Sequence, residues 1–194
     1  MTLEGPGGRS RKLTVLVFLL FFLISMLTNI MGPLIPEIIR GFHVSLAAAG
    51  LLPFAFFLAY GLVSIPAGIL MERTSAKKVV LGALALEVAG VLLLPLWPRY
   101  AMALASFLVV GIGAAALQVV INPLLRVAGG EEHYAFNSAL AQFTFGTGSF
   151  LSPLLYSYLV RNVERVGRGA FWLDVLRALT PEGLPWLAAF WGEF

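Results

Sequence analysis

Apart from His43, four stretches of this chain carry no charged side chain: residues 13–36, 41–71, 100–125 and 134–160. A helix needs roughly 20 mainly apolar residues to cross the hydrocarbon of a bilayer, and each stretch is longer than that. An unpaired backbone amide or carbonyl costs several kcal/mol in lipid, so spanning segments are helices or closed barrels. These runs are continuously apolar and do not alternate, which excludes a barrel. Composition agrees. The chain is 59% hydrophobic and 12% charged, against about 45–50% and about 25% for a soluble domain.

The runs predict an all-α membrane protein with five spanning helices at residues 13–39, 46–70, 79–97, 100–127 and 137–160. Residues 1–12 form a polar tail, and 13–160 form the five-helix bundle. The first run is too long for the apolar region of a signal peptide and lacks a small-residue cleavage site, so it is read as a retained helix. Residues 161–183 read as a long loop. Within it Phe171, Trp172, Val175, Leu176 and Leu179 share one face of an interfacial amphipathic helix. Residues 184–194 open a sixth helix that is too short to span. Arg9, Arg11 and Lys12 precede the first helix, Arg73, Lys77 and Lys78 lie between the second and third, and Arg126 ends the fourth. Basic residues near the start of a chain favour a cytoplasmic N-terminus, in a multi-pass protein of the cell membrane.

Several function classes drop out. There is no cysteine, hence no disulfide and no thiolate metal site. His43 and His133 fall in turns, and no spacing assembles a metal-ligand cluster or a nucleophile with its base. No cofactor, metal or enzymatic activity is expected. The basic residues form no stripe interleaved with aromatics, so nucleic acid is not a partner.

The informative residues are the polar ones inside the runs. Asn29, Gln118, Asn122 and Gln142 are amides at membrane depth, where an unpartnered polar group is expensive. Lining a polar cavity and bonding to a neighbouring helix are the two available explanations. Glu87 sits mid-helix without a local cation. A charged carboxylate there costs at least about 2.5–3.5 kcal/mol, which makes Glu87 a candidate proton-coupling residue or a neutral partner for another helix. Gly32, Pro33, Pro36, Pro53, Pro66, Pro123 and Pro153 interrupt the runs, as in helices that line transport pathways. Gly111, Gly113, Gly146 and Gly148 read as helix-packing positions. Gly32–Ile35 and Asn122–Leu125 form a faint internal echo of the kind an inverted repeat leaves.

The junction between the second and third helices reads Gly68-Ile69-Leu70-Met71-Glu72-Arg73-Thr74-Ser75-Ala76-Lys77-Lys78. It resembles the cytoplasmic-loop signature of the major facilitator superfamily, with Glu72 where aspartate is usual and Ser75 where glycine is usual. In that reading Gly68 permits close helix approach, and Glu72, Arg73, Lys77 and Lys78 act as a conformational latch. Residues 64–73, 111–123 and 140–153 are similar to the fucose/glucose/galactose–proton symporter branch.

The resemblance implies a carrier of a small polar solute, with sugar as the candidate class and a proton as the candidate coupling ion. It implies two six-helix halves rocking about a midplane site. This chain supplies five helices and the start of a sixth, so the missing half or a partner chain is expected beside it in the bilayer. Asn29, Gln118, Asn122 and Gln142 become the candidate substrate-binding residues. The branch's acidic positions are not kept: Gly32 or Asn29 stands where an aspartate is expected, Gln118 where a glutamate is, and Ala139 replaces an asparagine. Either Glu87 carries the proton in their place or transport is uncoupled. The competing readings are an inactive fragment, a half-transporter that pairs with a second chain, and a non-transporting receptor or scaffold.

Overall fold

The computed structural model describes residues 10–165, with side chains to residue 160. The expected interfacial helix and sixth-helix start lie outside the described residues. Six α-helices follow in order: α1 (Arg11–Asn29), α2 (Met31–Phe42), α3 (Leu46–Arg73), α4 (Ala76–Leu96), α5 (Tyr100–Gly129) and α6 (Tyr134–Arg165). A short 3-10 turn, Glu131–His133, joins α5 to α6.

The first expected helix is broken at Ile30 into α1 and α2. Proline explains the position. Pro33 has no N–H to give the Asn29 carbonyl, and its ring crowds that same carbonyl. The chain resumes its ladder one residue later, where Leu34 N–H donates to Ile30 O at 3.2 Å. Together α1 and α2 form one candidate membrane span, Arg11–Phe42. α3, α4 and α5 are also long and apolar enough to cross a bilayer. α6 is as long but more polar, with Asn137, Ser138, Gln142, Thr144, Thr147, Ser149 and Ser152 along it. It begins at Tyr134 and runs through Arg165, beyond both ends expected for the fifth helix.

α5 is the centre of the bundle and packs against α3, α4 and α1, while α6 packs mainly on α1. Two apolar clusters fill the interior. At one end Val17, Phe21 and Ile24 meet Val79, Leu117, Ile121 and Ala141. At the other, Leu34 and Ile38 meet Leu52, Phe56, Leu94 and Phe107. The first cluster therefore gathers the start of α1, the end of α3, the start of α4, the end of α5 and the start of α6. Arg11, Lys12, Arg73, Lys77, Lys78 and Arg126 belong to this end, which we call the basic end. At the opposite end Tyr100 Oη donates to Ala48 O at 2.7 Å and ties α5 to α3.

Large apolar side chains also cover the outside, among them Phe54, Phe57, Leu62, Ile65, Phe143 and Phe150. Water would not tolerate such a surface over a whole molecule, whereas lipid does.

Small residues set the interior spacing. A Cβ on Gly111 would meet the Phe56 backbone, and one on Gly113 would lie 2.6 Å from Glu87 Cγ and 2.8 Å from Ala83 O. On Gly148 it would meet Ser25 Cβ and Oγ at 2.9 Å and Phe22 O at 3.0 Å. Gly146, expected to be a packing position, has open space around it. It lies two residues before Gly148, about 200° around α6, on the exposed face.

Candidate functional site

α1 and α6 meet along a polar seam. Ser25 Oγ donates to Phe145 O and lies 2.9 Å from Ser149 Oγ. Asn29 Nδ2 donates to Ser25 O and to Ser149 Oγ, both at 2.9 Å. Ser152 Oγ donates to Met26 O at 3.0 Å. The missing side chain at Gly148 lets the two backbones come close enough for these bonds. An amide nitrogen has two hydrogens, and those of Asn29 are both committed here. Its Oδ1 is the polar atom of the side chain that these bonds leave over.

The second group is on α5. Gln118 is half-buried, and its Oε1 is buried without a hydrogen-bond partner. One turn on, exposed Asn122 donates to Gln118 O at 3.2 Å. Pro123 follows it inside the helix, so the Val119 carbonyl loses its ordinary donor. Gln142 on α6 is exposed. α1 packs on both α5 and α6, which touch one another far less. The structure therefore brings Asn29 into contact with α6 and pairs Gln118 with Asn122. It shows no bond from Gln142 to any of the three.

Glu87 lies elsewhere. It is 4% exposed on α4, with its Cγ against the Gly113 position of α5 and Oε1 unpartnered. Gln118 lies five positions after Gly113. At 3.6 residues per turn this is about 140° around the helix, so Glu87 and Gln118 face different flanks of α5.

The loop signature spans the α3–α4 joint at the basic end. Thr74 caps α3 by donating from both N and Oγ1 to Leu70 O, at 2.9 and 2.6 Å. Extended Ser75 starts α4, with Lys78 N and Val79 N donating to Ser75 O. Glu72, Arg73, Lys77 and Lys78 are exposed. The ion pairs found among the described residues are Arg40–Glu37 at 3.4 Å and Arg126–Glu131 at 3.1 Å, so none joins the signature charges. A Cβ added at Gly68 would lie 3.9 Å from Val119 Cγ1, an ordinary van der Waals distance, so the approach of α3 to α5 there does not require glycine.

Two features escaped sequence reasoning. The seam partners Ser149 and Ser152 are unremarkable singly. Their spacing, together with the one-turn pair Ser25 and Asn29, was the available signal. Arg126 pairs with Glu131 and stands 5.5 Å from the centre of the Tyr134 ring, fastening the α5–α6 turn. Among the described residues no group of three or more potential metal ligands forms.

The sequence model of the Major Facilitator Superfamily matches residues 17–180. The L-fucose-proton symporter of Escherichia coli is 30% identical over 190 residues, covering 93% of this chain and 42% of that protein. A glucose/galactose transporter of Brucella abortus is 32% identical over 145 residues, covering 73% of this chain and 35% of that protein. The crystal structure of the E. coli fucose:proton symporter superposes with a TM-score of 0.65. Sequence identity is 25%, over 96% of this chain and 44% of that one. This chain thus spans 35–42% of the length of these two curated relatives. It is a multi-pass membrane protein of a transporter family and not of an enzyme class, and it belongs to the major facilitator superfamily, in the branch of the fucose–proton and glucose/galactose transporters.

Proposed function

We propose that this chain forms one half of a carrier that moves a small polar solute, with a sugar as the candidate, by alternating access across the cell membrane. The observation that carries the reading is the unsatisfied amide oxygen of Gln118 next to exposed Asn122 on α5. Buried polar groups are ordinarily hydrogen-bonded. A solute hydroxyl donating to Gln118 Oε1 and accepting from Asn122 would meet that demand. Asn29 Oδ1 and the Gln142 amide extend the set on α1 and α6. The E. coli and Brucella relatives are both sugar carriers by name, which supports a polyhydroxyl solute.

Glu87 is the candidate proton carrier. It is a buried carboxyl away from the amides, so coupling would run through the α4–α5 contact and not through direct contact with solute. The exposed charges Glu72, Arg73, Lys77 and Lys78 find no ion partner among the described residues, which suits a latch whose counterpart lies on a second half. The basic end then faces the cytoplasm.

The test is uptake of radiolabelled fucose, glucose and galactose by the complete transporter carrying Gln118→Ala or Asn122→Ala. Loss of at least about tenfold in uptake at low solute is expected for a missing sugar hydrogen bond made to a buried group. Unchanged kinetics in both variants would remove the site assignment.

A further inference from the structure

The geometry points to a phosphate site at the basic end, formed by the start of α1, the end of α5 and the start of α6, and occupied by the headgroup of an anionic lipid. A cleft of about 310 Å³ opens there between Arg11, Thr14, Val15, Gly129 and Asn137. Three independent features favour an anion. Arg11 is exposed and has no ion pair among the described residues. α1 begins beside the cleft with no acidic residue in its first turn, and Ser10 caps only the Leu13 N–H. The first amides of that helix therefore present donors and the positive end of its dipole. Asn137 is 6% exposed, and its Nδ2 has no hydrogen-bond partner. That amide rests where a Gly129 side chain would stand, on the cleft wall. Of the two acids in the α5–α6 turn, Glu131 is matched by Arg126, while Glu132 is exposed and outside the cleft lining.

A lipid fits better than a free ion because the cleft borders an exposed apolar stripe of α1. Val15 is part of its lining, and exposed Leu19 and Leu23 follow at one-turn intervals down α1. This stripe offers an acyl chain a track directly below the phosphate. The site is separate from the Gln118–Asn122 pair and does not depend on the transported solute.

The experiment is native mass spectrometry of the full 194-residue chain, delipidated in detergent and titrated with phosphatidylglycerol, phosphatidylcholine or inorganic phosphate. Phosphatidylglycerol should bind in preference to phosphatidylcholine. Arg11→Gln should weaken it about fivefold, the factor for one basic charge near an anionic surface. Arg40→Gln, at the far end of the same span, should leave it unchanged. Equal retention of both lipids, or an Arg11→Gln affinity matching that of the unaltered chain, would overturn the site. Tighter binding of inorganic phosphate than of the lipid would overturn the lipid assignment in favour of the free anion.

Discussion

Replacing Gly148 with alanine tests whether the α1–α6 seam holds the bundle together. The added methyl would stand 2.9 Å from Ser25 Cβ and Oγ and 3.0 Å from Phe22 O. Ser25 cannot simply rotate away, because its hydroxyl is held by Phe145 O and Ser149, and Phe22 O is backbone. The helices must separate by several tenths of an ångström. Overpacking of this kind costs about 1–3 kcal/mol. Separation also loosens the two bonds of Ser25, at about 0.6 kcal/mol each for interhelical bonds in membrane proteins. Alanine returns about 1 kcal/mol through its better helix propensity. The net is a loss of about 2 kcal/mol, which corresponds to a fall of roughly 4–8 °C in melting temperature for a chain of this size. Gly146→Ala is the internal control. It receives the same propensity gain, meets nothing within 4 Å, and should leave stability equal or higher. Thermal unfolding in detergent, followed by circular dichroism, distinguishes the two. Equal melting temperatures for both variants would refute the close α1–α6 approach.

Three further outcomes are expected. Tyr100→Phe removes the 2.7 Å bond to Ala48 O and should cost about 1 kcal/mol, read as a small drop in the same melt without loss of helix content. Glu87→Gln keeps the shape of the side chain in the α4–α5 seam but cannot carry a proton. In the complete transporter it should abolish solute-driven alkalinisation of the medium while exchange of solute across the membrane continues, and persistent alkalinisation would exclude Glu87 as the carrier. Arg126→Gln breaks an ion pair whose partners are largely exposed, and should change stability by less than about 1 kcal/mol. A larger loss would mean that the α5–α6 turn depends on it.

Much of this protein is legible one residue at a time. Charge-free runs long enough to span lipid specify helices whatever their neighbours are, because hydrocarbon leaves the backbone no other way to bond. The loop between α3 and α4 is equally local, since Thr74 and Ser75 cap adjoining helices within a few residues. The break at Ile30 was signalled by Pro33, but proline kinks some membrane helices and interrupts others. Which occurs depends on whether surrounding helices accept the new direction. Contacts between helices are of another kind. Gly146 and Gly148 have the same chemistry and lie two residues apart, yet only Gly148 faces α1. Asn29 reads as a solute ligand from its type and depth, but Ser149, 120 positions later, takes its second hydrogen. Glu87 and Gln118 both look like midplane polar residues, and the pitch of α5 sends them to different flanks. Side-chain type and spacing determine that these segments are helices in a bilayer. Which face each helix turns to its neighbour is a property of the assembled bundle, because it is set by the closest approach that glycine, serine and valine at distant positions jointly allow.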